Sequence, residues 1–339
     1  MGHNLNVENG GASLMSVREL PWHGLGTILE SPPETVADAM KAAHLDWEVG
    51  LKPVYCAEGG TYYEIPHKKA IVRLDKWGQQ DCVPFGLVGN DYRVFQNRDA
   101  FSFFDLLAET GHVTFETAGA LGNGERVWVL VKVDDEMQIK ECDRVEKYLL
   151  FSTGHDGRTA VQIRFTPVRV VCQNTLIASL SAGRDLFRIY HTPGMRNAVA
   201  DAKQEVQRIF EEYEQLEKTY ERLACRQLTP EELSLYLGSV FPDPDRKKGQ
   251  LAQSYEAALA RVQQIRIRAA GLFEKGKGND HKAIRGTLWA AYNGVVELID
   301  HHWTYSSLWH RMESTCFGEN ERVKQLALKT AEKMLRTAA

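Results

Sequence analysis

VTFETAGALGNGERVWVLVKV, residues 113–133, is the stretch whose reading decides the fold. Val113 to Ala120 and Glu125 to Val133 are rich in β-branched and aromatic residues, and Gly122-Asn123-Gly124 between them is turn chemistry. The stretch predicts two strands around a tight turn. Downstream, Lys147 to Phe151 and Ala160 to Val171 predict two more, joined by Gly154-His155-Asp156-Gly157, with a helix from Asn174. Upstream, Trp47 to Cys56 and Tyr62 to Leu74 flank the turn signal Glu58-Gly59-Gly60, and Asp91 to Phe95 reads as a strand end. Asn97 then opens a helix as N-cap, with Phe101, Phe104, Leu106 and Leu107 on its apolar face. Strands, a helix, a β-meander and a helix make an α+β fold with a mainly antiparallel sheet, not alternating βα units.

From Pro193 the period changes from two to 3.6. Asn197 to Leu223 carries Val206, Ile209, Phe210, Tyr213, Leu216 and Tyr220 at helical intervals. Thr229-Pro230-Glu231-Glu232 starts a shorter helix, and Pro242-Asp243-Pro244 ends it. Leu251 to Phe273, Ile284 to Trp303 and Asn320 to Leu335 predict three more. The expected organisation is a flexible arm over 1–19, an α+β core over 20–192 and a mostly helical C-terminal region over 193–339.

The 339 residues exceed what one small domain needs, and 43% hydrophobic with 25% charged residues is ordinary globular composition. No run approaches the roughly 20 apolar residues of a membrane span. The polar N-terminus lacks a secretion signal, so a cytoplasmic location and no membrane partner are expected. None of the six cysteines lies within four residues of another, which predicts reduced thiols and no zinc site. No cofactor is expected. A net charge of −4 argues against coating nucleic acid by charge alone, so clustering of the cations becomes the question.

Several strings occur in a recognisable order: Trp22 to Gly26 (WHGLG), Phe115 to Gly119 (FETAG), His155-Asp156-Gly157, Thr166 to Leu176 (TPVRVVCQNTL), Tyr190-His191-Thr192, and Gly286 to Gly294 (GTLWAAYNG). Together, across Leu20 to Trp303, the chain resembles the phage/plasmid-like protein family, also called domain of unknown function 932. That resemblance implies a gene of phages, prophages or conjugative plasmids and brings no established activity. The order of elements also resembles, as architecture alone, the core of ring-forming single-strand annealing proteins.

Two groups of cations stand out. On a strand over 158–169, Val161, Ile163 and Phe165 point one way, and Gln162, Arg164 and Thr166 the other. A bulge at Pro167 would bring Arg169 beside Arg164 on one exposed face. With Arg158, Arg184, Arg188 and His191 this makes a candidate phosphate track; the alternative is a solvated sheet face with ordinary ion pairs. The second group is Arg261, Arg266, Arg268, Lys275, Lys277, Lys282 and Arg285, around a flexible centre of Gly276, Gly278 and Asn279.

Other motifs read as structure first. Asp156-Gly157 is turn chemistry, against an acid/base pair of His155 and Asp156 joined by His191. Cys172 continues an apolar run, against a nucleophile at a helix start. Asp300-His301-His302 ends a helix, against metal ligation. Trp22 either docks on a neighbour or pins its own arm.

The expectation is therefore a single-stranded DNA-binding protein of the annealing type, acting in recombination as a homo-oligomer, with Tyr148, Phe151 or Trp128 as base-stacking candidates. It is expected not to be an enzyme. The alternative is a non-enzymatic protein-interaction module of a mobile element, a host-defence inhibitor or regulator.

Overall fold

The computed structural model describes residues 5–8, 11–17, 26–80, 82–105, 113–165, 168–169, 184–204, 206–246, 251–303 and 319–337. Its strands are β1 Val7–Glu8, β2 Gly11–Ala12, β3 Leu14–Val17, β4 Thr27–Leu29, β5 Val49–Glu58, β6 Thr61–Arg73, β7 Gly86–Val88, β8 Val113–Leu121, β9 Arg126–Ile139, β10 Asp143–Gly154, β11 Val161–Phe165, β12 Val168–Arg169 and β13 Arg184–Ile189. Its α-helices are α1 Val36–Ala42, α2 Asn97–Ser102, α3 Met195–Gln204, α4 Val206–Cys225, α5 Pro230–Val240, α6 Ala252–Lys275, α7 Leu288–Glu297 and α8 Glu319–Thr337. The chain has an α+β fold with antiparallel sheets toward the N-terminus and helices toward the C-terminus. It divides into two units: 1–135, 147–166 and 184–210 in the first, and 136–146, 167–183 and 211–339 in the second.

In the first unit the main sheet runs β13-β11-β10-β9-β8-β3-β4. Its central hairpin is the one read from residues 113–133. Leu121 pairs with Arg126, Gly122 and Gly124 take φ of 69° and 110°, and Glu125 accepts from the Asn123 amide at 2.5 Å. Residues 14–17 are not part of a free arm. Leu14, Met15 and Val17 are apolar and buried, and β3 pairs with β8. Phe151 on β10 meets Phe95, Phe103 and Phe104 at ring separations of 5.9, 5.5 and 6.3 Å, which seats α2 on the sheet.

The N-cap of α2 is Gln96 rather than Asn97. Gln96 and Asp99 form a reciprocal capping box, which leaves the Asn97 amide free to turn inward. A second sheet, β5-β6-β7, has its turn at Gly59 and Gly60, φ 56° and 82°, the conformation that favours two glycines in a hairpin. At its base Val49, Ile71 and Val72 are buried. From Tyr55 to Lys69 every residue is exposed, so this hairpin continues as a two-stranded ribbon. The helix expected from Asn174 lies outside the described residues.

The second unit is mostly helical. Thr229 caps α5 with Glu232 in a reciprocal box and Pro230 at the first turn, as its sequence predicts. Helices α6 and α7 cross closely because position 294 is glycine: a Cβ there would meet the Phe273 nitrogen at 2.9 Å. Around α7 sit the buried rings of Tyr220, Trp289 and Tyr292, with Tyr220 and Trp289 at 4.4 Å. The Trp289 indole donates to Asp143 Oδ2 at 2.8 Å. After α7 the chain widens into a π-helical turn, Leu298–His302, which presents Asp300 to Lys324 of α8 in an ion pair with both side chains at most 3% exposed.

Candidate functional site

Folding divides the first group of cations between exposed and buried positions. Arg158 is exposed in the turn after Gly157, and Arg188 is exposed on β13. Arg164 is not on an exposed face: the residue is 5% exposed and its Nη2 donates to Gln162 Oε1 at 2.8 Å. The expected alternation along β11 is present, but Val161 to Arg164 are all buried, so the polar face of the strand is covered as well as the apolar one. Leu150 faces Arg164 and Val145 faces Arg169, one register on both sides of residues 166–167. The bulge expected at Pro167 lies outside the described residues. The backbones of Arg169 and Arg184 belong to β12 and β13, and their side chains lie outside the described residues.

His191 is also withdrawn from the surface. Its Nδ1 donates to the Arg93 carbonyl at 3.0 Å, Thr153 Oγ1 lies 3.5 Å from Nε2, and the ring stacks on Tyr92 at 5.0 Å. Burial pushes its pKa below the ordinary histidine value, which favours the neutral ring and disfavours phosphate binding. The stacking candidates Tyr148, Phe151 and Trp128 are buried too, and belong to the core.

The second group fares differently. Arg266 is consumed by structure: its guanidinium donates to the Phe241 carbonyl at 2.9 and 2.6 Å and pairs with Asp243 at 2.8 Å, closing the end of α5. Arg261, Arg268, Lys275, Lys277, Lys282 and Arg285 remain exposed. The loop after α6 is not a flexible tether. Asn279 is fully buried and donates to the Leu272 and Ala290 carbonyls at 2.9 and 3.0 Å. Glu297 accepts from the Lys277 amide at 2.9 Å, Ile284 is buried, and Thr287 caps α7. Among the described residues, no carboxylate lies within ion-pair distance of Arg268, Lys275, Lys282 or Arg285. The segment 275–285 thus holds four Lys and Arg against the single carboxylate of Asp280 on an anchored frame.

The Gly154–Gly157 turn resolves as structure. Asp156 Oδ1 accepts from the Arg158 and Thr159 amides, both at 2.8 Å, and Oδ2 accepts from the Thr159 hydroxyl at 2.8 Å. Burial alone would raise the Asp156 pKa, but these hydrogen bonds and the charge of Arg126 outweigh it and hold the carboxyl below its usual value. His155 does not pair with it. Asn97 donates its amide nitrogen to Leu45 and Trp47 carbonyls, which leaves Oδ1 to accept from His155 Nε2 at 2.9 Å. Nδ1 is then a bare lone pair without a hydrogen-bond partner, in a ring packed against Trp47 and Phe85. Burial, then the neighbouring His191, pushes the His155 pKa down to about 3. His155, Asp156 and His191 are therefore near one another but share no hydrogen bonds that would make them an acid–base set.

The ribbon of β5 and β6 presents exposed aromatic side chains that its sequence does not announce. Tyr55, Tyr62 and Tyr63 are 52, 75 and 54% exposed.

Fold and surface together define an α+β protein with a core-buried histidine cluster and exposed chemistry that is cationic and aromatic. Among the described residues, no group of three or more His, Cys, Asp or Glu side chains is arranged to hold a metal, and no helix is long and apolar enough to cross a membrane. The chain belongs to the family described as Domain of unknown function (DUF932), whose model matches residues 84–333. No curated protein and no solved structure matches the chain significantly.

Proposed function

We propose that this protein binds single-stranded DNA as a homo-oligomer and anneals it, in the cytoplasm, during recombination of a phage, prophage or plasmid. One observation carries the reading. Lys275 at the end of α6 and Lys282 and Arg285 in the loop that follows are exposed; that loop is tied down by Asn279, Ile284 and Thr287, and none of the three cations has a carboxylate partner among the described residues. Cations on an anchored frame meet phosphates without the cost of ordering a loop. Backbone contact of this kind leaves base edges free to pair. The attraction is local, because the chain as a whole carries −4.

The test is the salt dependence of binding to a labelled oligonucleotide. Each phosphate neutralised on a single strand contributes a log–log slope of roughly −0.7. Replacing Lys275, Lys282 and Arg285 by alanine is expected to weaken binding and to flatten that slope by about two. An unchanged slope in the triple variant contradicts the role given to this loop. The exposed apolar side chains of Leu74, Trp77, Val83 and Leu87 favour a second reading, a protein-interaction module. That reading expects no salt-sensitive binding to nucleic acid.

A further inference from the structure

We infer that the β5–β6 ribbon is an arm that stacks unpaired nucleobases on Tyr55, Tyr62 and Tyr63; this rests on the nucleic-acid reading and names the element that recognises strand state. The register sets the geometry. Tyr55 pairs with Glu64 and Ala57 pairs with Tyr62, so Tyr55 and Tyr62 share one face as diagonal neighbours. Cys56 pairs with Tyr63, which places that ring on the opposite face. Diagonal neighbours across an antiparallel pair lie about 7–8 Å apart, room for one planar base between two rings.

Three features select bases over other occupants. First, burying large rings is the usual fate of tyrosine on a strand, and here three stay in solvent at the end of a ribbon whose base is well packed. Second, the rings are interrupted by Glu58, Thr61 and Glu64, so they form no continuous apolar surface of the kind a protein partner covers. Third, Lys68 and Lys69 are exposed on β6, Lys69 pairing with Pro53 two positions from Tyr55 on β5, and neither has a carboxylate partner among the described residues. A phosphate chain would follow those lysines, while its bases turn onto the rings. Pairing hides base faces inside a duplex, so the arm discriminates by strand state. Every base has a π-face, so it does so without reading sequence.

The ribbon is interrupted where Val54 faces the four residues 65–68, with His67 at φ 62° and its Nδ1 3.0 Å from the Asn90 amide nitrogen. This irregularity separates the packed base from the aromatic end. Substitutions at the rings therefore leave the buried contacts of Ile71 and Val72 intact.

The experiment measures affinity of the full chain for labelled oligothymidylate, oligouridylate and a duplex of the same length. Variants are Y55A/Y62A/Y63A and Y55F/Y62F/Y63F. Stacking is worth a factor of roughly five to a hundred per base, so the alanine variant is expected to lose at least about tenfold on single strands. Its salt slope should stay unchanged, because no charge is removed. The phenylalanine variant keeps the rings and should bind like the native chain. Similar losses on oligothymidylate and oligouridylate indicate bases of either nucleic acid; a loss on only one assigns the arm to DNA or to RNA. If the native chain binds and the alanine variant binds equally well, or if phenylalanine costs as much as alanine, the arm is not a stacking platform. If the native chain binds no nucleic acid at all, the reading of the basic loop fails first.

Discussion

Replacing Asp300 with alanine is expected to destabilise the helical unit by about 3–5 kcal/mol, the usual cost of removing one partner from a buried ion pair. Asp300 and Lys324 are 3% and 2% exposed at their side chains, so water cannot take over the lost interaction. Such a loss is a large share of the roughly 5–15 kcal/mol that holds a domain folded. Chemical denaturation followed by helical circular dichroism gives the number. The double variant Asp300→Leu/Lys324→Met removes both charges and should recover most of the loss. A fall below about 1 kcal/mol in the single variant would mean that the pair is hydrated in solution.

The second large effect is acid sensitivity of the sheet unit. His155 has a folded pKa of about 3 against an ordinary value of 6.5, so between those pH values the unfolded chain binds a proton that the folded chain rejects. Stability from this residue is complete above pH 6.5 and declines as pH falls toward 3. The steepest decline is about 1.4 kcal/mol per pH unit. His191, also shifted down by burial, adds in the same direction. His155→Gln keeps an amide donor for Asn97 and removes the titration. Its stability at neutral pH should be lower than that of the native chain, and its decline between pH 6.5 and 4 shallower. Parallel stability–pH curves for the two proteins would show that His155 is not the source.

What could be read from the residues, and what could not, follows the range of the interactions involved. Local chemistry was legible. Gly122 to Gly124 and Gly59-Gly60 place two hairpin turns where positive φ is needed, and Thr229, Pro230 and Glu232 place the start of α5. Cation exposure was not legible where distant chain decides it. Alternation along β11 separates Ile163 from Arg164 but cannot say that both faces are covered. Arg266 is taken by the Phe241 carbonyl 25 positions away, and Asn279, read as part of a flexible loop, anchors that loop from inside. His191 carries the same lesson, since its partner carbonyl on Arg93 is 98 positions distant. The exposure of the tyrosines of the β5–β6 ribbon was not legible either, because aromatic residues on strands are ordinarily core.

Fluorescence anisotropy of the unmodified chain with a labelled single-stranded oligonucleotide, repeated from about 50 to 200 mM salt beside a duplex of the same sequence, decides whether the protein binds single strands through its cations. Tight binding at low salt, steep weakening as salt rises, and preference for the single strand are expected. Failure to bind the single strand at low salt, where electrostatic attraction is strongest, would contradict the proposed function.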